Sequence, residues 1–105
     1  MIALARLKQR QYVGVAQDRL GRTIVLERER WEHIREHEQL DGHELAVLRT
    51  VEEAEKKKPG NWPGSEVLYA PVGPARWLAV VVEYHGLAGR VITAYPYNKE
   101  PQTAA

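Results

Sequence analysis

Two histidines, His33 and His37, stand four residues apart in the segment WEHIREHEQ, with Glu36 directly before the second. Residues i and i+4 share one face of a helix, so both imidazoles can act on one ligand or one substrate. The spacing supports three readings. In the first, the histidines bind zinc and the glutamate serves as general base. That chemistry needs a third protein ligand, for which His43, beyond Gly42, is the candidate. In the second, the pair is the solvated flank of an ordinary charged helix. In the third, the imidazoles are acid and base, because imidazole titrates near neutrality and both takes and gives a proton at cellular pH. RNA cleavage uses such a pair: the 2'-hydroxyl is deprotonated, the 5'-oxygen leaving group is protonated, and cations hold the phosphorane oxygens. Arg30, Arg76, Arg90 and Lys99 are candidates for the last task. This third chemistry requires no metal and no cofactor.

The elements that must position these groups are legible in part. Trp31 and Ile34 are spaced as a narrow apolar stripe among Arg, Glu and His, which predicts a helix from about Arg28 to about Glu38. At about 100° per residue, Arg30, His33 and His37 form one ridge along the edge of that stripe, where they can line a cleft. DGHE then reads as a helix start, with Asp41 and Glu44 as a reciprocal capping pair. Leu45, Val47, Leu48 and Val51 carry the second helix to about Lys56, where Lys56, Lys57 and Lys58 complement the helix dipole. Pro59, Gly60, Pro63 and Gly64 make a loop around Trp62.

Strands are expected at Tyr12–Val15 and Thr23–Leu26, before the helices, and at Glu66–Ala70, Arg76–Tyr84 and Arg90–Tyr95 after them. The apolar run LAVVV marks a central strand, and HGLAG the last hairpin turn. The fold class is therefore α+β: two helices packed on an antiparallel sheet, in the order ββααβββ. By alternation along the last strand, Val91, Thr93 and Tyr95 share one face, and Ile92 and Ala94 the other.

Composition narrows the function classes. The 105 residues make one domain of 1–105, and 44% hydrophobic content suits a folded globule. Without cysteine there is no disulfide, thiolate nucleophile or Cys-ligated zinc, which fits a reducing cytoplasm. The longest apolar run, Leu78–Val82, is too short to span a bilayer, and the start lacks a signal peptide's apolar segment, so a soluble protein without a membrane partner is expected. Net charge is +1, so RNA binding needs a local basic patch. Trp62 in its Pro/Gly loop is the tryptophan best placed to stack on a base, whereas Trp31 and Trp77 suit a core.

The succession RWEHIREH, HELAVLRTVEEAE, EVLYA, RWLAVVVEY and GRVITAYPYNK resembles the phage- and toxin-associated nuclease-like domains of the barnase, EndoU, colicin and RelE (BECR) fold group. The paired segments WEHIREH and VITAY carry the resemblance, which covers residues 23–99 and leaves 1–10 as an arm and 100–105 as a tail. The chain departs from the group's usual pattern at His37–Glu38–Gln39 and at Ala54–Glu55. The resemblance implies metal-independent endoribonuclease activity of toxin type and a cognate antitoxin or immunity protein as partner. Its matched positions are His33, His37, Thr93 and Tyr95, with Tyr69 a weaker match. Arg90 joins them as charge stabiliser; Arg30, Trp62, Tyr69, Arg76 and Lys99 are the candidate RNA contacts. The alternative reading is a non-catalytic module of this fold that binds a protein, favoured by the modest net charge and the mixed Arg/Glu helix surface.

Overall fold

The structure, a computed structural model, describes residues 11–37 and 39–102, and the side chain of His37 lies outside what it describes. The expected arm, 1–10, and the end of the tail, 103–105, also fall outside the described residues. Six strands and two helices follow one another as β1 (Tyr12–Gln17), β2 (Thr23–Glu27), α1 (Arg28–His37), α2 (Glu44–Glu53), β3 (Lys56–Pro59), β4 (Ser65–Gly73), β5 (Arg76–His85) and β6 (Ala88–Tyr97). The strands form one sheet in the spatial order β1-β2-β6-β5-β4-β3. All neighbours are antiparallel except β2 and β6, which run parallel.

The expected antiparallel sheet of five strands in the order ββααβββ is thus corrected to a six-stranded mixed sheet in the order ββααββββ. Two physical causes account for the difference. The first is the lysine run, which is a strand and not a helix end. Beyond Val51 the helix has no further buried face, and Pro59 disfavours helical backbone at Lys58. The edge of β4 offers backbone partners instead, and Lys56 to Pro59 pair with Tyr69 to Glu66. Lysines and a proline on this outer strand also discourage pairing with another chain. The second cause is the pairing of β2 with β6, which sequence spacing does not encode: the whole α1–α2–β3–β4–β5 excursion intervenes.

Both helices pack on one face of the sheet, α2 against β1, β4 and β5, and α1 against β6, β2 and β1. The main core lies between them, built from Ile24, Leu26, Trp31, Ile34, Val47, Val51, Leu68, Leu78, Val80, Val82, Val91 and Ala94. A smaller cluster, Val67, Tyr69 and Ala79 with Trp77, Val81, Tyr95 and Tyr97 packed against it, occupies the opposite face. Among the described residues no helix covers that face, and none is long and apolar enough to cross a membrane.

The expected capping pair does not form. The N-cap of α2 is His43, without a side-chain cap hydrogen bond. Glu44 instead accepts the indole N–H of Trp31 at 3.0 Å, and Asp41 accepts Arg35 at 3.1 Å. Both acids therefore fasten α1 to the start of α2.

The two-residue turn Gly86-Leu87 joins β5 to β6 with a positive φ of 64° at Gly86, the hairpin geometry whose twist matches the strands. At the β1–β2 turn, Asp18 Oδ1 accepts the amides of Leu20 (3.0 Å) and Arg22 (2.8 Å), while Oδ2 accepts Arg22 Nε at 2.7 Å. Arg22 continues to Glu66 on β4 at 3.0 Å and lies 3.6 Å over the ring of Tyr84 on β5. One guanidinium thereby ties the β1–β2 turn to β4 and β5.

Burial raises the Asp18 carboxyl pKa, but the hydrogen bonds from the Arg22 amide and guanidinium and the Leu20 amide outweigh it, so the net value falls below the ordinary 3.8. A depressed folded value means that ionised Asp18 stabilises the fold above its unfolded pKa, and that this contribution is lost as pH falls through the folded value. Asp18→Asn should cost about 1–3 kcal/mol at neutral pH, because it loses a charged acceptor from a buried turn. Urea unfolding at pH 7 and pH 3 checks this: the variant's deficit should shrink at the lower pH.

Candidate functional site

The last strand carries the site, and a β-bulge decides which side chains it offers. Val81 of β5 pairs with Thr93 and Val82 with Val91, so Ile92 is an extra residue opposite neither. Directly paired residues of an antiparallel ladder point to the same face. Thr93, Tyr95 and Tyr97, opposite Val81, Ala79 and Trp77, therefore lie on the open face, away from the helices. Past the bulge the phase inverts. Val91, opposite Val82, is fully buried in the helix-side core, and Arg90, opposite Glu83, joins Thr93 and Tyr95 on the open face. The expected sharing of a face by Val91, Thr93 and Tyr95 is corrected on this ground: alternation holds only where no residue is inserted.

Because β2 is short and runs parallel to β6, the chain leaves the sheet at Glu27 and enters α1 without a loop, and α1 packs against β6. Trp31 and Ile34 turn into the core, which leaves the flank of Arg30 and His33 beside the start of β6. A cleft of about 230 Å³ results, lined by Glu27, Glu29, Arg30, His33 and Arg90. Arg90 Nη1 lies 3.6 Å from Glu27 and Nε 3.6 Å from Glu83. Both contacts are long and the guanidinium is half exposed, so each is worth roughly 1 kcal/mol or less and Arg90 can be redirected to an incoming anion.

Of the sequence candidates, Arg30, His33 and Arg90 thus share one cleft, and Thr93 and Tyr95 continue from it along the same face of β6. Trp62 reaches this end as well, since its indole N–H donates to Glu83 at 3.0 Å. Glu83 also accepts His85 at 3.1 Å, and these contacts, His85 and Trp62 foremost, hold its carboxyl below the ordinary range.

Tyr69 is buried, packed 5.5 Å from the Tyr97 ring, and supports its neighbours without presenting a face. Arg76 and Lys99 stand at the other end of the sheet, Arg76 being seven residues along β5 from Glu83, or about 23 Å at strand spacing. His37 ends α1, and its side chain is outside the described residues. His43, the third candidate zinc ligand, sits beyond Gly42 with Nδ1 3.1 Å from the Asp41 carbonyl. Among the described residues no group of three His, Asp or Glu side chains is placed to hold a metal ion.

Sequence reasoning passed over Glu27, Glu29 and Glu83, which surround Arg90 and His33. Nothing in their local sequence sets them apart from the other acids of the chain. It also passed over a cavity of about 550 Å³ between the β1–β2 turn, the end of α2 and β3. Its charged lining is largely the Asp18–Arg22–Glu66 network described above, with Lys57 a further 3.6 Å from Glu66. Tyr84 floors it; burial raises its hydroxyl pKa, the nearby Arg22 working against that shift.

On the open face, burial likewise pushes the hydroxyls of Tyr69 and Tyr95 up; Tyr97 raises Tyr69 further while its hydrogen bond with Tyr95 opposes, and Tyr69 and Tyr97 raise Tyr95 further while Lys58 opposes. Both remain protonated donors at neutral pH. Compared with known families, with curated proteins and with solved structures, the chain matches none.

Deleting Ile92 removes the bulge and forces either Arg90 into the core or Thr93 and Tyr95 onto the helix side. The deletion should cost about 3 kcal/mol or more, since it buries an unpaired charge or displaces the aromatic cluster. Ile92→Val, which keeps the residue count, should cost no more than about 1.5 kcal/mol. Chemical denaturation followed by circular dichroism separates the two outcomes.

Proposed function

We propose that the chain is a metal-independent endoribonuclease of toxin type, acting on RNA in the cytoplasm and restrained there by a cognate antitoxin or immunity protein. One observation supports the reading above others: an imidazole and two guanidiniums share one cleft at the start of β6, and Thr93 and then Tyr95 follow from it along the same open face of the strand. In this mechanism His33 takes the proton of the 2'-hydroxyl as its oxygen attacks phosphorus. The P–O5' bond breaks, and the departing oxygen receives a proton from an acid on the same ridge, the role assigned to His37. The products are a 2',3'-cyclic phosphate and a free 5'-hydroxyl. Arg90 and Arg30 neutralise charge on the non-bridging oxygens as it builds up, Thr93 is the nearer hydroxyl to position the phosphate, and Tyr95, five residues along β6 from Arg90, holds the RNA beyond it.

A second reading has its own support. Glu27 and Glu29 balance Arg30 and Arg90 in the cleft, a mixed surface that suits a protein partner as well as phosphate. In that case the chain is a non-catalytic module of the same kind of fold.

Purified protein should cleave RNA in EDTA and leave 2',3'-cyclic ends, detected by their resistance to periodate. His33→Ala should lower the rate about 10²- to 10⁴-fold, and Arg90→Ala about 10²- to 10³-fold, with thermal stability unchanged because both side chains are exposed. RNA that stays intact at high protein concentration, together with a tight protein partner recovered on the cleft face, sinks the nuclease reading in favour of the second.

A further inference from the structure

The cleft accounts for one end of the open face; the other end carries a different set of groups. Trp77 on β5 and Tyr95 and Tyr97 on β6 form a row of partly exposed rings, with buried Tyr69 beneath them. Cations border the row. On β3, Lys56 pairs with Tyr69 and Lys58 with Val67, so both project on this face, and Lys99 stands two residues past the end of β6. Lys56 Nζ sits 5.7 Å over the Trp77 ring and donates to Glu100 at 3.0 Å. Among the described residues no carboxylate pairs with Lys58 or Lys99.

Aromatic planes that no helix covers, edged by uncompensated lysines, match one class of ligand: an anionic backbone bearing flat, unpaired rings. A duplex hides its base faces within the stack and cannot use such rings. An acidic protein segment offers the same groups partners, but the continuity of this face along β6 with the cleft at Arg90 and His33 favours RNA.

We propose that the open face between β3 and β6 binds single-stranded RNA, stacking unpaired bases on Tyr97 and Trp77 while Lys58 and Lys99 hold the backbone. The identity of the nucleic acid rests on the nuclease reading above. The strand then runs along β6 from the aromatic row to the phosphate at Arg90 and His33. Cleavage would accordingly be confined to unpaired segments.

Binding can be measured apart from cleavage with a fluorescent 2'-O-methyl oligoribonucleotide, which lacks the attacking hydroxyl. Anisotropy titrations of the full chain should show the single strand binding at least about tenfold more tightly than the same sequence in a duplex. Lys58→Ala removes an exposed side chain; it should weaken binding severalfold and reduce the salt slope by about one unit. Tyr97→Leu should weaken binding about tenfold with little change in salt slope. Equal affinity for single strand and duplex, or wild-type affinity in both variants, overturns the proposal. The two readings fail separately. Cleavage of unmodified RNA with unaltered binding by both variants leaves the nuclease and removes the aromatic track. Single-strand binding that the variants weaken, without cleavage, does the reverse.

Discussion

Ile92 has no partner on β5, because the ladder steps from Val81–Thr93 to Val82–Val91 around it. In a regular strand, Arg90 would share a face with Ile92 and Ala94 and would point into the core beneath the helices. The inserted residue turns Arg90 outward and Val91 inward. The core gains a fully buried valine, and the open face gains a guanidinium in line with Thr93 and Tyr95. Packing and candidate chemistry therefore depend on the same local irregularity, as is common for bulges beside functional sites.

The parallel pairing of β2 with β6 completes the arrangement. Three register pairs, Thr23–Ala88 to Val25–Arg90, fix where β2 lies, and the strand ends two residues later. From that end α1 runs alongside β6, held by Trp31 and Ile34 in the core and fastened to the start of α2 by the Trp31–Glu44 and Arg35–Asp41 contacts. A helix anchored on one side presents its adjoining flank, and here the flank carries Arg30 and His33. The weak ion pairs of Arg90 with Glu27 and Glu83 balance its charge in the cleft at little cost.

Stability and candidate function are separated across the molecule. The strongest buried electrostatics, Asp18 with Arg22 and Glu66 against Tyr84, lie at the turn that closes β1 onto β2, and they stitch that hairpin to β4 and β5. In the cleft, the ion pairs of Arg90 are long and half exposed. Titrating Asp18 therefore acts on the fold, whereas charge changes at Arg90 act on the surface. The lysine run follows a similar division, serving as a protected edge strand while Lys56 and Lys58 face the uncovered side of the sheet.

The sequence by itself determined where most elements lie. The stripe of Trp31 and Ile34, the face of Val47 and Val51 and the apolar core LAVVV are marked by apolar spacing written within a few residues, although Leu45, expected in the second stripe, is exposed. Local pattern also placed Arg30 and His33 together on a helix flank. Only the tertiary structure decided that Lys56–Pro59 is a strand, because that depends on a free edge of β4; that β2 pairs in parallel with β6, because the two are far apart in the chain; and that the acids of DGHE clamp helices and leave the amides uncapped. It also decided the face of Arg90. A bulge is a mismatch between two strands, and no single strand's sequence of polar and apolar residues contains the count of its partner.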